Sequence, residues 1–203
     1  PSNYVVEVTG VQSHAGGTDM TDRRDAFAAV CEMEEVLEKL ARECPSEYNT
    51  ATIGHLEVLP NAMNVIPGKV IFTIDIRDCT WHTKQILIEA FKVAFQKIAD
   101  SRGVSVSIHE DNNDMPFTCN ETIISLIEEA CKNQQLEYAK LISGPYHDTL
   151  FVGRFAPAAM IFVPSKNGIS HSPHEWTEYE QLAQGADVLA ETLLKLSNSE
   201  ESL

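Results

Sequence analysis

The stretch Lys69-Val-Ile-Phe-Thr-Ile-Asp-Ile-Arg77 decides the fold of the amino-terminal part of this chain. Its apolar residues at even positions, from Val70 to Ile76, alternate with a second set that ends in Asp75 and Arg77. Side chains that alternate in this way point to opposite faces of a β-strand. The stretch therefore predicts a half-buried strand with a mostly polar outer face.

Strands and helices on both sides of this stretch follow the order βαββαβ. The two helix patterns each carry their apolar residues on one stripe. The predicted elements are a strand at residues 4–9, a helix at 25–43, strands at 52–58 and 69–77, a helix at about 83–102 and a strand at 104–108. Such a unit folds as a ferredoxin-like, four-stranded antiparallel sheet with two helices on one face and the other face open for a partner or ligand.

The pattern changes to that of an α/β protein after about residue 113. Helices are predicted at residues 121–133 and 178–196, with a short strand near Ala139–Ile142 and a buried strand at Ala158–Val163. A parallel sheet needs cover on both faces, and so few elements do not provide it. We therefore expect residues 1–113 to form one domain and residues 114–203 to form part of a larger α/β domain.

The composition excludes several classes of function. The chain has 203 residues with a formal net charge of −15, and its lack of a Lys/Arg cluster argues against a nucleic-acid partner. No apolar run approaches the roughly 20 residues that span a bilayer, which argues against a membrane partner. The five cysteines are widely spaced, which favours reduced thiols and a cytoplasmic location. Because Pro1 comes first and a strand begins by Tyr4, we expect the chain to be a piece of a longer protein.

The loop Gly168-Ile-Ser-His-Ser-Pro-His-Glu-Trp176 carries the strongest sign of a functional site. It follows the predicted strand at residues 158–163 and precedes a long amphipathic helix. Ligands of open α/β sheets gather at the carboxyl ends of strands, so His171 is a candidate metal or substrate contact. A structural histidine in a Ser/Pro loop is the alternative.

Short motifs along nearly the whole chain resemble one family of enzymes. They are, in order, Ser13-His-Ala-Gly-Gly-Thr18, Arg23-Arg-Asp-Ala26, Asn64-Val-Ile-Pro-Gly68, Asp75-Ile-Arg77, Ser143-Gly-Pro-Tyr-His-Asp148, Met160-Ile-Phe-Val-Pro-Ser165 and Gly168-Ile-Ser-His-Ser-Pro173. Each motif alone is weak, but their shared order makes the match specific. The chain resembles the N-carbamoyl-L-amino-acid hydrolase, β-ureidopropionase and allantoate amidohydrolase group, which are dinuclear-metal amidohydrolases of the aminoacylase and carboxypeptidase type.

The resemblance implies a two-domain subunit. A lid domain, here residues 1–113, would interrupt an α/β catalytic domain and form a homodimer, and residues 114–203 would be the carboxyl-terminal part of the catalytic domain. The intact enzyme would hold two divalent metal ions, Zn or Mn, mostly through ligands that precede the lid together with the general-base glutamate. We therefore expect this chain alone to be inactive and not to retain the metals.

The resemblance also assigns roles to individual residues. His171 matches the family's last metal ligand, and His147 matches a histidine that donates a hydrogen bond to the oxyanion formed during hydrolysis. Asn64 and Arg77 would hold the carboxylate of the substrate, since a guanidinium grips a carboxylate at two points and an amide adds one donor. His14 would reach from the lid into the active site of the partner subunit, where it would contact the substrate during catalysis.

Several residues keep two interpretations. Asp148 would fix the tautomer of His147 or cap the helix that follows, and Glu175 would orient a metal ligand or mark the entry to a helix. His147 is otherwise a polar residue at a turn, and Arg77 is otherwise a surface arginine on an open sheet. His174 departs from the family pattern and is expected to be a loop residue.

The expected reaction is hydrolysis of the carbamoyl C–N bond of an N-carbamoyl amino acid or an allantoate-like ureido acid, with a metal-activated water as nucleophile. The sequence does not choose between these substrates, and Pro145 and Tyr146 stand where relatives often carry small residues. A related aminoacylase or metallopeptidase is a second interpretation. A third, from a different class, is a non-catalytic fragment that dimerises and binds the substrate.

Overall fold

In a computed structural model of the chain, which describes residues 1–198, the protein divides into two units. The first is Pro1–Pro116 and the second is Phe117–Leu203. This division lies close to the predicted boundary after residue 113. The roles of lid and catalytic domain assigned to the two parts remain predictions.

The first unit has the βαββαβ order, with a short two-stranded ribbon added. Its elements are β1 (Ser2–Thr9), β2 (Ser13–His14), a 3₁₀ turn (Met20–Asp22), α1 (Ala26–Glu43), β3 (Thr50–Leu59), β4 (Val65–Ile66), β5 (Lys69–Arg77), α2 (Trp81–Arg102) and β6 (Ser105–Asn113). The main sheet has four antiparallel strands in the order β3-β5-β1-β6. The predicted ferredoxin-like unit is therefore confirmed.

The core of this unit lies between the sheet and the two long helices. In β5, Val70, Phe72, Ile74 and Ile76 are fully buried, as their alternation predicts. Burial of one such side chain contributes about 2–3 kcal/mol to folding. The other face of β5, which includes Thr73, Asp75 and Arg77, stays partly exposed. The rings that complete the core form edge contacts, Tyr4 to Phe91 at 5.2 Å and Phe91 to Phe95 at 5.3 Å.

The ends of the two helices are set by local hydrogen bonds. The Asp25 carboxylate accepts from the backbone N–H of Phe27 at 2.9 Å and of Ala28 at 3.1 Å, and so caps the amino-terminal end of α1. α2 begins two residues earlier than predicted and ends at Gly103, whose φ of 64° favours glycine. In its first turn, Lys84 is fully buried and donates to the carbonyl oxygens of Pro1 and Asp114.

The second unit is built on two packed helices. Its elements are α3 (Glu121–Asn133), α4 (Thr149–Val152), a 3₁₀ turn (Lys166–Gly168) and α5 (Tyr179–Asn198). Ala130 and Cys131 of α3 pack against Val188 of α5. Glu191 of α5 accepts hydrogen bonds from Gln134, Asn133 and Lys195, which lower the pKa of its carboxyl to about 2. These hydrogen bonds link the carboxyl end of α3 to α5.

The two strands predicted in the second unit are not present. Ala139–Ile142 and Ala158–Val163 are extended or irregular, without strand pairing, within residues 117–198. A strand needs a neighbour for its N–H and C=O groups, and an apolar run does not supply one by itself. Ile161 instead packs beside the α3–α5 cluster.

Apolar side chains are also left open to solvent in this unit, with Phe155 90% and Leu141 78% exposed. Among the helices of residues 1–198, none combines the length and apolar character needed to cross a bilayer.

Candidate functional site

The ribbon formed by β2 and β4 brings two of the predicted site residues together. Ser13 pairs with Ile66 and His14 pairs with Val65. The backbone N–H of Ala15 then donates to the carbonyl oxygen of Asn64 at 2.9 Å. His14 and Asn64 therefore both lie at the tip of this ribbon, one on each of its strands or next to it, and both are exposed.

The ribbon continues the β1–β5 pair beyond the edge of the main sheet. Thr9 pairs with Lys69, and the next bond runs from the N–H of Gly10 to the carbonyl oxygen of Gly68 at 2.8 Å. A side chain at Gly10 would place its Cβ 2.0 Å from the carbonyl oxygen of Arg24, so only glycine fits there. The close approach fixes the direction in which the ribbon leaves the sheet.

Arg23 holds the loop that follows His14. Its guanidinium donates to the carbonyl oxygens of Ala15 at 2.6 Å and of Thr18 at 3.2 Å. Arg23 therefore shapes this turn. Because two backbone carbonyls of this loop are bound by Arg23, the backbone next to His14 has a fixed conformation.

The His14 ring is oriented by its own loop. Its Nδ1 atom accepts a hydrogen bond from the N–H of Gly16 at 3.1 Å. An accepting Nδ1 carries no proton, so the neutral ring has its proton on Nε2. His14 therefore presents an N–H donor at the exposed end of the ring.

Arg77 is at the last position of β5, on the open face of the sheet. Its guanidinium binds the Asp75 carboxylate, with Nε 2.8 Å from Oδ1 and Nη2 3.0 Å from Oδ2. This hydrogen-bonded cation holds the pKa of the Asp75 carboxyl below its usual range. Asn3 of β1 donates to the same carboxylate from Nδ2 at 3.2 Å.

Strand geometry separates Arg77 from Asn64 within one chain. Lys69, next to the ribbon, and Arg77 mark the two ends of β5. At roughly 3.3 Å per residue, the Cα atoms of these two ends are about 26 Å apart. The side chains of Asn64 and Arg77 therefore cannot contact one substrate carboxylate within the same chain.

His147 lies in the second unit, just before α4. Its Nε2 atom is 2.7 Å from the Oγ atom of Ser143, and its ring meets the ring of Phe162 at 5.5 Å. Asp148 occupies the position before α4 but makes no side-chain capping bond. Of the two roles considered for Asp148, the cap is therefore absent, and the side chain hydrogen-bonded to the His147 ring is that of Ser143.

His171 is held in an unusual backbone conformation. Its φ of 56° lies in the left-handed region, which a non-glycine residue seldom adopts outside functional sites and tight turns. The Glu175 carboxylate accepts a hydrogen bond from the N–H of His171 at 2.8 Å. Glu175 thus contacts the backbone of the predicted metal ligand, and His174 is exposed in the same loop, as predicted.

The described residues do not form a metal centre by themselves. No group of three or more His, Cys, Asp or Glu side chains with a geometry suited to a metal occurs among residues 1–198. A structural or catalytic metal site needs about three or four protein ligands, and His171 supplies one imidazole. Residues 1–198 therefore do not supply a complete metal site.

The sequence analysis gave no role to Ser143, which contacts the His147 ring. This serine was quoted within the motif that ends in His147 and Asp148, four positions before the histidine. A hydroxyl that close in sequence can return to the ring when the intervening residues turn. Gly144 and Pro145, which favour turns, were the available signal.

Comparison with known proteins shows the family of the chain. The family described as peptidase family M20/M25/M40 matches residues 6–195. The N-carbamoyl-L-amino acid amidohydrolase of Geobacillus stearothermophilus is 37% identical over 195 residues, which are 95% of this chain and 47% of that protein. The ureidoglycolate hydrolase of Oryza sativa subsp. japonica is 37% identical over 198 residues, which are 97% of this chain and 41% of that protein. The chain thus spans less than half the length of these curated relatives.

Solved structures agree with the sequence comparison. The crystal structure of AtUAH in complex with glyoxylate matches with a TM-score of 0.91 at 35% identity, over 98% of this chain and 47% of that one. An amidase of the hydantoinase/carbamoylase family from Burkholderia vietnamiensis matches with a TM-score of 0.90 at 28% identity, over 98% of this chain and 48% of that one. From the family match along most of its length, the chain belongs to peptidase family M20/M25/M40.

Proposed function

We propose that this chain is part of a metal-dependent amidohydrolase that cleaves the carbamoyl C–N bond of a ureido acid, such as an N-carbamoyl amino acid or allantoate. The observation that carries the proposal is the likeness of nearly the whole chain to relatives named for those substrates. The first unit acts as the lid and the second as the carboxyl-terminal part of the catalytic domain. Neither role depends on which ureido acid is bound.

The ribbon supplies hydrogen-bond donors for a polar substrate. His14 presents Nε2–H when its ring is neutral, because Nδ1 accepts from Gly16. Asn64, at the same tip of the ribbon, carries an amide that offers a second donor. A ureido group and a carboxylate are both rich in acceptor oxygens, so either end of the substrate suits this pair.

Arg77 binds the substrate carboxylate at the other end of the sheet. Since the strand separates it from the ribbon by roughly 26 Å, one substrate can meet Arg77 and the Asn64–His14 pair only if they come from different chains. The active site would therefore be shared in a homodimer, with Arg77 from one subunit and the ribbon from its partner. This arrangement places Asn64 with His14, rather than with Arg77 of the same chain.

The second unit carries the two histidines that the proposed chemistry uses. His147 donates a hydrogen bond to the oxyanion that forms as the carbonyl is attacked, a contact worth about 3–4 kcal/mol when a donor of this kind is well placed. His171 is one ligand of a divalent metal centre whose remaining ligands are not among the described residues of this chain. We therefore expect the 203-residue chain alone to be inactive.

A non-catalytic binding fragment is the alternative that one observation favours. The described residues supply too few ligands for a metal site, while the carboxylate and ribbon contacts are in place. A binding fragment would bind a ureido acid but would not hydrolyse it, with or without His171.

A chimera tests the proposed activity. The matched stretch of the Geobacillus stearothermophilus N-carbamoyl-L-amino acid amidohydrolase is replaced by this chain, and ammonia release is measured from N-carbamoyl amino acids, allantoate and ureidoglycolate. We expect release from at least one of these substrates and its loss with His171→Asn. His109→Asn, at an exposed histidine of β6 outside every motif, is the matched control and should leave the rate unchanged.

The other outcomes separate the alternatives. Cleavage of N-acetyl amino acids or dipeptides in place of ureido acids would identify an aminoacylase or peptidase. A folded chimera that binds ureido acids without cleaving them would support the binding fragment. Turnover by the 203-residue chain alone, abolished by a chelator, would overturn the conclusion that the chain is catalytically incomplete.

A further inference from the structure

The hydrogen bond between Ser143 and His147 constrains a ring that the proposed mechanism uses. The Ser143 Oγ atom lies 2.7 Å from Nε2, and the Phe162 ring meets the imidazole in an edge contact at an angle of 60°. The serine engages one nitrogen, and the aromatic contact limits rotation of the ring. Nδ1 is then the ring nitrogen that remains for a substrate.

The direction of this hydrogen bond decides what Nδ1 can do. A serine hydroxyl can donate or accept, and a neutral imidazole carries one proton on one of its two nitrogens. If Ser143 donates, Nε2 accepts and the proton lies on Nδ1. If Ser143 accepts, Nε2 carries the proton and Nδ1 is left with a lone pair.

Stabilisation of an oxyanion requires a donor at the nitrogen that faces the substrate. A lone pair on Nδ1 would repel the developing negative charge, whereas an N–H would bind it. Isolated histidine prefers the tautomer with the proton on Nε2, so a neighbouring donor is needed to hold the opposite one. Ser143 is placed to be that donor, and Asp148 makes no capping bond that would fix the adjacent backbone.

We propose that Ser143 is a positioning residue that donates its hydroxyl proton to Nε2 of His147 and thereby keeps the ring proton on Nδ1. The choice of Ser143 as the donor rests on the proposed role of His147 in oxyanion binding, but the tautomer can be measured without turnover. Ser143 would act through His147, without contact to the substrate.

Nitrogen NMR of the 203-residue chain with ¹⁵N-labelled histidine tests this assignment. The spectra are recorded at about pH 8, above the usual pKa range of histidine side chains. We expect the wild-type His147 spectrum to show Nδ1 protonated, and Ser143→Ala to move the proton to Nε2. Ser143→Thr keeps the hydroxyl and should retain the wild-type tautomer, while Asp148→Asn is the matched control in the same loop and should not change it.

Two results would overturn the assignment. One is a wild-type ring protonated on Nε2, and the other is a folded Ser143→Ala variant with the wild-type tautomer. The measurement needs no turnover, so its result does not depend on whether the proposed activity is found.

In the active chimera, Ser143→Ala should lower kcat about 10- to 100-fold with little change in KM, a smaller loss than removal of a direct oxyanion donor. A chimera inactive on every ureido acid, with the tautomer as expected, would contradict the proposed function and leave the role of Ser143 intact.

Discussion

Arg77 and Asp75 form a two-point ion pair on the open face of the sheet, with Nε 2.8 Å from Oδ1 and Nη2 3.0 Å from Oδ2. The two residues are two positions apart in β5, so their side chains point to the same face. Asn3 of the neighbouring strand donates to the same carboxylate. This arrangement holds the guanidinium in one orientation, which suits recognition of a substrate carboxylate.

Asp75→Asn should destabilise the first unit at neutral pH and not in acid. Both side chains are about a third exposed, so we expect a loss of less than about 1 kcal/mol at pH 7. The pKa of the Asp75 carboxyl is depressed in the folded state, so its contribution is present above the unfolded pKa of roughly 4 and is lost as the pH falls through the folded pKa. Urea denaturation of both proteins at pH 7 and in acid measures the gap. A gap of equal size at both pH values would show that the ion pair is not its source.

Lys84 should stabilise the first unit by holding its two ends together. Its buried ammonium donates to the carbonyl oxygens of Pro1 and Asp114 and lies 4.8 Å from the centre of the Trp81 ring. Lys84→Ala removes these charge-assisted bonds and should cost about 2–3 kcal/mol in the free energy of unfolding. Lys84→Met keeps the apolar stem and separates packing from charge. Equal stability of Lys84→Met and wild type would mean that the two carbonyl contacts contribute nothing.

The cap of α1 should contribute measurably to stability. Asp25 accepts from two backbone N–H groups, so Asp25→Ala should cost about 1 kcal/mol. Asp19 is the matched control, because it precedes the 3₁₀ turn at Met20–Asp22 and makes no side-chain capping bond. Thermal or urea denaturation should therefore distinguish Asp25→Ala from Asp19→Ala. If the two variants are equally stable, the capping bonds contribute less to the free energy of unfolding than we expect.

Gly10→Ala should disturb the ribbon and the sheet together. The new Cβ would meet the carbonyl oxygen of Arg24 at 2.0 Å, and the backbone would have to move at a cost of about 2–3 kcal/mol. Gly16→Ala places its Cβ 3.4 Å from the His14 ring, which is close but can be relieved by a side-chain shift. We expect a clear loss of stability only for Gly10→Ala. A small loss of stability in both variants would show that the backbone after β1 can move away from the Arg24 carbonyl at little cost.

The first unit was predictable because its pattern is local. The alternation in β5 and the stripes of the two helices are each visible within one segment, and the antiparallel sheet pairs those segments with one another. The ribbon at Ser13–His14 and Val65–Ile66 was not predicted, since two-residue strands carry no periodicity. Its presence follows from the approach of Gly10 and Gly68, which is a tertiary contact.

The second unit was harder to predict because its apolar runs are ambiguous. Ala158–Val163 has the composition of a buried strand, but strand formation depends on a neighbour that the segment does not specify. Motifs identified His147 and His171 as candidates, and both remain predictions. The sequence analysis named only Asp148 as a partner of the His147 ring, because the contact with Ser143 depends on the turn at Gly144 and Pro145.

A mixture of two variants should show whether the active site is shared between subunits. His14→Ala removes the ribbon donor and Arg77→Ala removes the carboxylate contact, and each variant alone should bind a ureido acid weakly. If the site takes Arg77 from one chain and His14 from its partner, a mixed dimer contains one intact site and one site with both changes. Titration calorimetry of the refolded mixture should then recover wild-type affinity at about half a site per chain within the mixed dimers.

The stoichiometry rests on the geometry of β5. A site made within one chain would remain damaged in every dimer of the mixture, so the mixture would bind no better than its components. The matched control pairs His14→Ala with Asn64→Ala, since both residues belong to the same ribbon and every dimer then contains only damaged sites. Recovery with the Arg77 variant but not with the Asn64 variant would place His14 and Asn64 on one subunit and Arg77 on the other. Recovery in neither mixture, with dimers shown by ultracentrifugation, would contradict the shared site.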